Sequence, residues 1–104
     1  MKTSELTGRA LDWAVGIADQ CDLAPVEYSS KWEFGGPIIE REGISIVLDW
    51  DVVGEFLWGA TRIERSVVSQ AEGTTPLIAA MRCYVASKLG DEVEIPNELT
   101  GVNK

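Results

Sequence analysis

Apolar residues recur at helical spacing from Thr7 to about Cys21. Ala10, Leu11, Ala14, Val15, Ile17, Ala18 and Cys21 share one side, while Arg9, Asp12, Asp19 and Gln20 take the other. The pattern predicts a one-sided helix covering a sheet, with Trp13 at the edge of its apolar arc. From Asp22 to Gly43 the period is lost. A short extended piece fits Leu23 to Tyr28, and Ser29, Ser30, Gly35, Gly36 and Pro37 carry turn chemistry, so this stretch reads as a loop. Gly43 to Trp50 and Glu55 to Arg62 read as two strands joined through Asp51 to Gly54, most simply as an antiparallel hairpin.

The second helix is the most legible element. Thr75 suits the N-cap, Pro76 the first helical position and Gly90 the C-terminal cap. Between them only Arg82 and Lys88 are charged. Ile78, Met81, Val85 and Leu89 form one stripe, and Ala79, Cys83 and Ala86 a face of small residues. A helix apolar nearly all round is buried on two sides, by a sheet and by another helix or subunit, and in so small a chain a homo-oligomer is the natural way to bury it. A short third strand fits Glu92 to Pro96, and the tail from Leu99 to Lys104 has little to pack. The fold class is therefore α+β, with two main helices packed on a small, mainly antiparallel sheet. Residues 1–98 form a single domain, followed by a loose tail over 99–104.

The chain has 104 residues, of which 45% are hydrophobic, enough for one modest core. No run reaches the roughly 18–20 apolar residues of a membrane span, and the start, Met1 to Glu5, shows no apolar signal segment. Nine basic residues against seventeen acidic leave a formal charge of −8, which argues against nucleic acid and against anionic membranes as partners. There is no histidine, so the commonest general base and zinc ligand is missing. The two cysteines, Cys21 and Cys83, read as small core residues. An oxygen-ligated cation remains open, without EF-hand spacing. No motif calls for a cofactor.

Candidate chemistry gathers in the stretch Tyr28 to Glu42. Tyr28 and Trp32 can stack, Gly35 and Gly36 let backbone amides approach a ligand, Pro37 and Ile38 shape the turn, and Glu40 and Arg41 offer charges of both signs. The same residues also suit an ordinary surface loop with a tight turn. The start of the second helix at Thr75 could cradle an anion or be simply capped, and it matches neither a P-loop nor a dinucleotide fingerprint. Arg82 falls on the margin of the apolar face, beside Ile78, Ala86 and Leu89, where a charge must pair with a glutamate, snorkel or meet a ligand anion. Glu40, Glu42 and Asp49 could serve as an acid–base pair, but their spacing is not diagnostic.

Three blocks carry a family likeness: Ser4-Glu5-Leu6-Thr7-Gly8-Arg9-Ala10-Leu11-Asp12-Trp13-Ala14-Val15, then Gly35-Gly36-Pro37-Ile38-Ile39-Glu40-Arg41-Glu42-Gly43-Ile44, then Thr75 to Val93. Together they resemble the NinX-like family of small proteins of lambdoid phages and related prophages. The likeness is weakest over Ser45 to Gly73. The resemblance implies a phage accessory protein acting in the host bacterial cytoplasm. Small phage proteins of this kind often counter host defence, by sequestering a nucleotide signal or by blocking a host protein.

Three functions follow as expectations. The first is a non-catalytic binder that sequesters a small nucleotide-like ligand. Trp32 or Tyr28 would stack the base, Arg82 and backbone amides would hold phosphate, and Glu40 would take ribose hydroxyls. The second is an inhibitor or adaptor that turns its acidic surface to a basic host or phage protein. The third is a small hydrolase relying on carboxylates, with or without magnesium.

Overall fold

The computed structural model describes residues 2–19, 26–50 and 56–95, without the side chains of residues 49, 50 and 56. A 3-10 turn at Thr3–Glu5 precedes helix α1 at Gly8–Ala18 and helix α2 at Trp32–Glu42. Strands β1 at Ser45–Trp50, β2 at Phe56–Glu64 and β3 at Val67–Gly73 follow, and helix α3 at Pro76–Leu89 closes the order. The fold class is α+β, with one antiparallel sheet in the order β1-β2-β3.

The β1–β2 register pairs Ser45 with Thr61 and Trp50 with Phe56, as a hairpin requires. β2 runs two residues beyond its expected end and turns into β3, a strand the pattern does not predict. Its two-residue turn is Arg65-Ser66, both with positive φ, at 51° and 71°. Such turns match the twist of the strands but favour Asn-Gly or Asp-Gly, so this one has no sequence signal. Conversely, the strand expected at Glu92 to Pro96 shrinks to one antiparallel bridge between Lys2 and Glu92, with Val93 to Ile95 outside any strand.

The largest correction is α2. The stretch read as a loop is an eleven-residue helix with Pro37 inside it. It closes on Gly43, whose φ of 66° lets its N–H reach back to Ile39. Gly35 is at the tight contact. A Cβ there would sit 2.4 Å from the Tyr28 carbonyl oxygen and 2.7 Å from Leu77 Cδ1. The glycine therefore serves close approach between α2, the preceding turn and α3, not a change of direction. Asp12 helps to place that turn, because its carboxylate accepts a 2.8 Å bond from the Ser29 N–H.

α3 holds the molecule together. It touches all three strands and both other helices, and α1 and α2 pack chiefly on it, not on the sheet. The expected two helices on a sheet become one helix on the sheet with two more behind it. Leu77, Ala79, Ala80, Met81, Cys83, Tyr84 and Val85 of α3 are buried accordingly. Ala60 and Ala71 face it from the sheet, and Leu6, Leu11, Ala14 and Val15 from the other side. Because α3 is covered by its own chain, its all-round apolar character does not call for an oligomer. Thr75 caps it as expected, its hydroxyl oxygen accepting from the Ile78 N–H at 3.1 Å.

The end of the first predicted helix at Cys21, the connection Asp51 to Gly54, the strand end at Pro96 and the tail from Leu99 lie outside the described residues. Among those described, no helix is long and apolar enough to cross a membrane.

Candidate ligand site

The residues expected to form a ligand loop are distributed along α2 and the turn before it. Tyr28, Gly35 and Ile38 point into the core, with Tyr28 8% and Ile38 2% exposed. Gly36 is half-buried, and Pro37 and Glu40 are exposed. Trp32 opens the helix and is 54% exposed, so its ring is free to stack. Helix formation has turned a hypothetical cradle of backbone amides into internal hydrogen bonds.

Arg41 is engaged with its own chain. Its Nη2 donates to Asp19 at 2.7 Å and to the Tyr84 hydroxyl at 3.1 Å, and its Nε donates to Glu42 at 2.8 Å. The Tyr84 hydroxyl in turn donates to Asp19 at 2.9 Å. Burial, and then the bond to Asp19, push the Tyr84 phenol up to about 12. Glu42 also accepts from Arg62 at 2.7 Å, while Arg62 reaches Glu64 at 2.6 Å. The bond from Arg41 holds the Glu42 carboxyl below its usual range. This network ties α1, α2, β2 and α3 together. It engages both oxygens of Glu42, one of the three carboxylates considered for acid–base work.

Arg82 stands apart. None of the ion pairs among the described residues involves it. Its Nε donates to the Leu6 carbonyl and its Nη1 to the Glu72 carbonyl, both at 2.7 Å. Among the described residues the expected glutamate partner is replaced by two backbone oxygens, which accept bonds but do not neutralise the charge. Burial lowers the affinity of this guanidinium for its proton, although an arginine stays charged in a protein.

Two hollows open beside Arg82. The larger, of about 560 Å³, runs past Val47, Leu57, Gly59, Gln70 and Thr74. The register sets Gly59 between Val47 on β1 and Glu72 on β3, so the missing side chain leaves a trough across the sheet. The smaller, of about 340 Å³, lies between Gln70 and Ala71 of β3 and Lys2, Thr3, Asp91 and Glu92. Ser4, Gln70, Ala71 and Arg82 line both. A charged, partly desolvated guanidinium beside hydroxyl and amide groups can hold a carboxylate or a phosphate.

Of the ten residues singled out from the sequence, Arg82 is the one that lines these hollows; neither is lined by any residue of α2 or by Thr75. Sequence reasoning missed Ser4, Gln70 and Thr74. They are scattered in the chain, and Gln70 becomes meaningful only once β3 exists.

The family model described as Bacteriophage P22, NinX matches residues 23–88 of the chain. No curated protein matches it.

Proposed function

The chain belongs to the bacteriophage P22 NinX family, and from that premise we propose that it is a phage accessory protein that binds an anionic ligand at Arg82 without transforming it. The observation that carries this is the guanidinium with two carbonyl partners and, among the described residues, no carboxylate, set between two hollows. Binding fits better than turnover because the chain has no histidine and Glu42 is committed to Arg41 and Arg62. The overall charge of −8 repels anions at long range, so recognition is local and short-ranged.

For a nucleotide-like host-defence signal, Arg82 offers the phosphate seat. Base stacking by Trp32 and ribose contact through Glu40 would need the ligand to reach α2, which lines neither hollow. The alternative, an inhibitor or adaptor of a host or phage protein, draws on another observation. Val47, Ile63 and Val68 are each more than half exposed on the side of the sheet away from α3.

The test is a titration of the labelled protein with inorganic phosphate, acetate and a panel of mononucleotides and cyclic dinucleotides, following the Arg82 Nε–H resonance and the Gln70 and Thr74 amides. Shifts centred on these three groups are expected. Shifts centred on Trp32 and Glu40, with Arg82 silent, would refute the placement.

A further inference from the structure

Among the described residues β3 is an edge strand, and its hairpin decides which of its backbone groups turn away from β2. A two-residue turn makes the flanking pair, Glu64 and Val67, a hydrogen-bonded pair, and antiparallel pairs then alternate. Val67, Ser69, Ala71 and Gly73 therefore spend their N–H and C=O groups on β2. Val68, Gln70 and Glu72 turn theirs outward. The Glu72 carbonyl is taken by Arg82. No backbone bond from another described element reaches Val68 or Gln70, and both residues are exposed. An open edge is a template for another strand.

This edge is closed at one end. Arg82 bridges Glu72 to Leu6, so a chain pairing with Val68 and Gln70 cannot continue past Glu72. The group it meets there is a cation. A chain that must stop against a guanidinium stops best with its own terminal carboxylate. Beside Gln70 lies the smaller hollow, whose wall holds Asp91 and Glu92 beside Lys2 and Arg82, so that once a carboxylate occupies Arg82 the two acids face Lys2 alone. With the net charge of −8, this favours a basic side chain on the incoming segment.

We propose that the β3 edge captures the C-terminal end of another polypeptide, paired in parallel with Val68 and Gln70, its carboxylate on Arg82 and a basic side chain facing Asp91 and Glu92. The proposal rests on the anion-binding reading of Arg82 and names the class of partner that supplies the anion.

The probe is a pool of N-acetylated heptapeptides of random sequence, made once with a free C-terminal carboxylate and once as the amide. Bound species are identified by mass spectrometry after capture on the full chain. Free acids should be retained about tenfold over amides, with Lys or Arg enriched at one position. Gln70→Pro removes an outward N–H without touching the β2 ladder, and should abolish retention while its thermal melt stays cooperative. Equal retention of acids and amides, or full retention by Gln70→Pro, would overturn the proposal. So would a dimer that Gln70→Pro dissolves, because a second copy would then occupy the edge. If no peptide is retained while phosphate still shifts the Arg82 Nε–H resonance, the peptide reading fails and the anion site stands. If phosphate also shifts nothing, both fail.

Discussion

Replacing Gly35 by alanine should destabilise the protein, although alanine is the better helix former. Within α2 the exchange gains about 1 kcal/mol of intrinsic propensity. Against this, the new methyl would meet the Tyr28 carbonyl oxygen at 2.4 Å and Leu77 Cδ1 at 2.7 Å. Carbon atoms rest about 3.5–4.0 Å apart, so Leu77 would have to retreat by about 1 Å. The Tyr28 carbonyl has less freedom, being backbone in a turn held by the Tyr28 N–H bond to Val26 at 2.9 Å. Overpacking of a well-filled site costs about 1–3 kcal/mol, and a backbone obstacle places this case at the upper end. The net loss is about 1–2 kcal/mol, or a fall in Tm of about 5–15 °C for a domain of this size. The neighbour provides the control. A Cβ on Gly36 would find its nearest atom, Trp32 Cε3, at an ordinary 3.6 Å. Its propensity gain is offset by Pro37, which disfavours helical geometry in a preceding residue with a side chain, so Tm should stay within about 4 °C. Both variants are read by far-UV circular dichroism melts and urea midpoints. A Gly35→Ala protein as stable as the parent, beside a weakened Gly36→Ala, would refute the close approach of α2 to α3.

Ser66→Gly should raise Tm by about 2–4 °C, because it relieves a left-handed serine in the β2–β3 turn at a small cost in unfolded-state entropy; a lowered urea midpoint would contradict the turn geometry. Glu42→Gln should cost about 1–3 kcal/mol at pH 7 by leaving Arg62, whose side chain is 10% exposed, with one fewer carboxylate. Since the native Glu42 carboxyl lies below its ordinary 4.5, its stabilisation is present above that pH and fades as pH falls further. Urea midpoints of parent and variant should therefore converge toward pH 3. Tyr84 has the opposite sign. The native phenol keeps its proton to about 12 and the unfolded one loses it near 10, so stability falls as pH rises between those values. Tyr84→Phe should flatten that fall, as measured by urea midpoints from pH 8 to 11.5. The Cys83 thiol, fully buried and pushed up to about 11 by burial, should resist iodoacetamide at pH 8 until urea is added, as followed by mass spectrometry of its peptide.

Much of the fold is legible from local pattern. α1 and α3 announce themselves through 3.6-residue periodicity, and α3 also through Thr75, Pro76 and Gly90. β1 and β2 show as apolar runs around a short connection. Two elements escape. α2 carries Gly-Gly-Pro, which by itself breaks helices, and the Cβ-free space that Gly35 supplies acquires value only when Tyr28 and Leu77 are beside it. β3 alternates weakly and follows a turn of Arg and Ser, whose left-handed backbone is imposed by the strands it joins.

The sequence alone, through composition and motif, determined the α+β class, the family, the capped central helix and the absence of histidine chemistry. It also marked Arg82 as a charge needing an answer, since a guanidinium on an apolar margin cannot go unpartnered. Only the tertiary structure decided what that answer is. Leu6 and Glu72 lie 76 and 10 residues from Arg82 in the chain, and their carbonyls can be offered to it only after the N-terminal turn and β3 have been brought to the same side of α3. Long-range placement of backbone groups leaves no trace in residue type. That is why the carbonyl-bound arginine, the hollows beside it and the open edge of β3 become visible in three dimensions and not before.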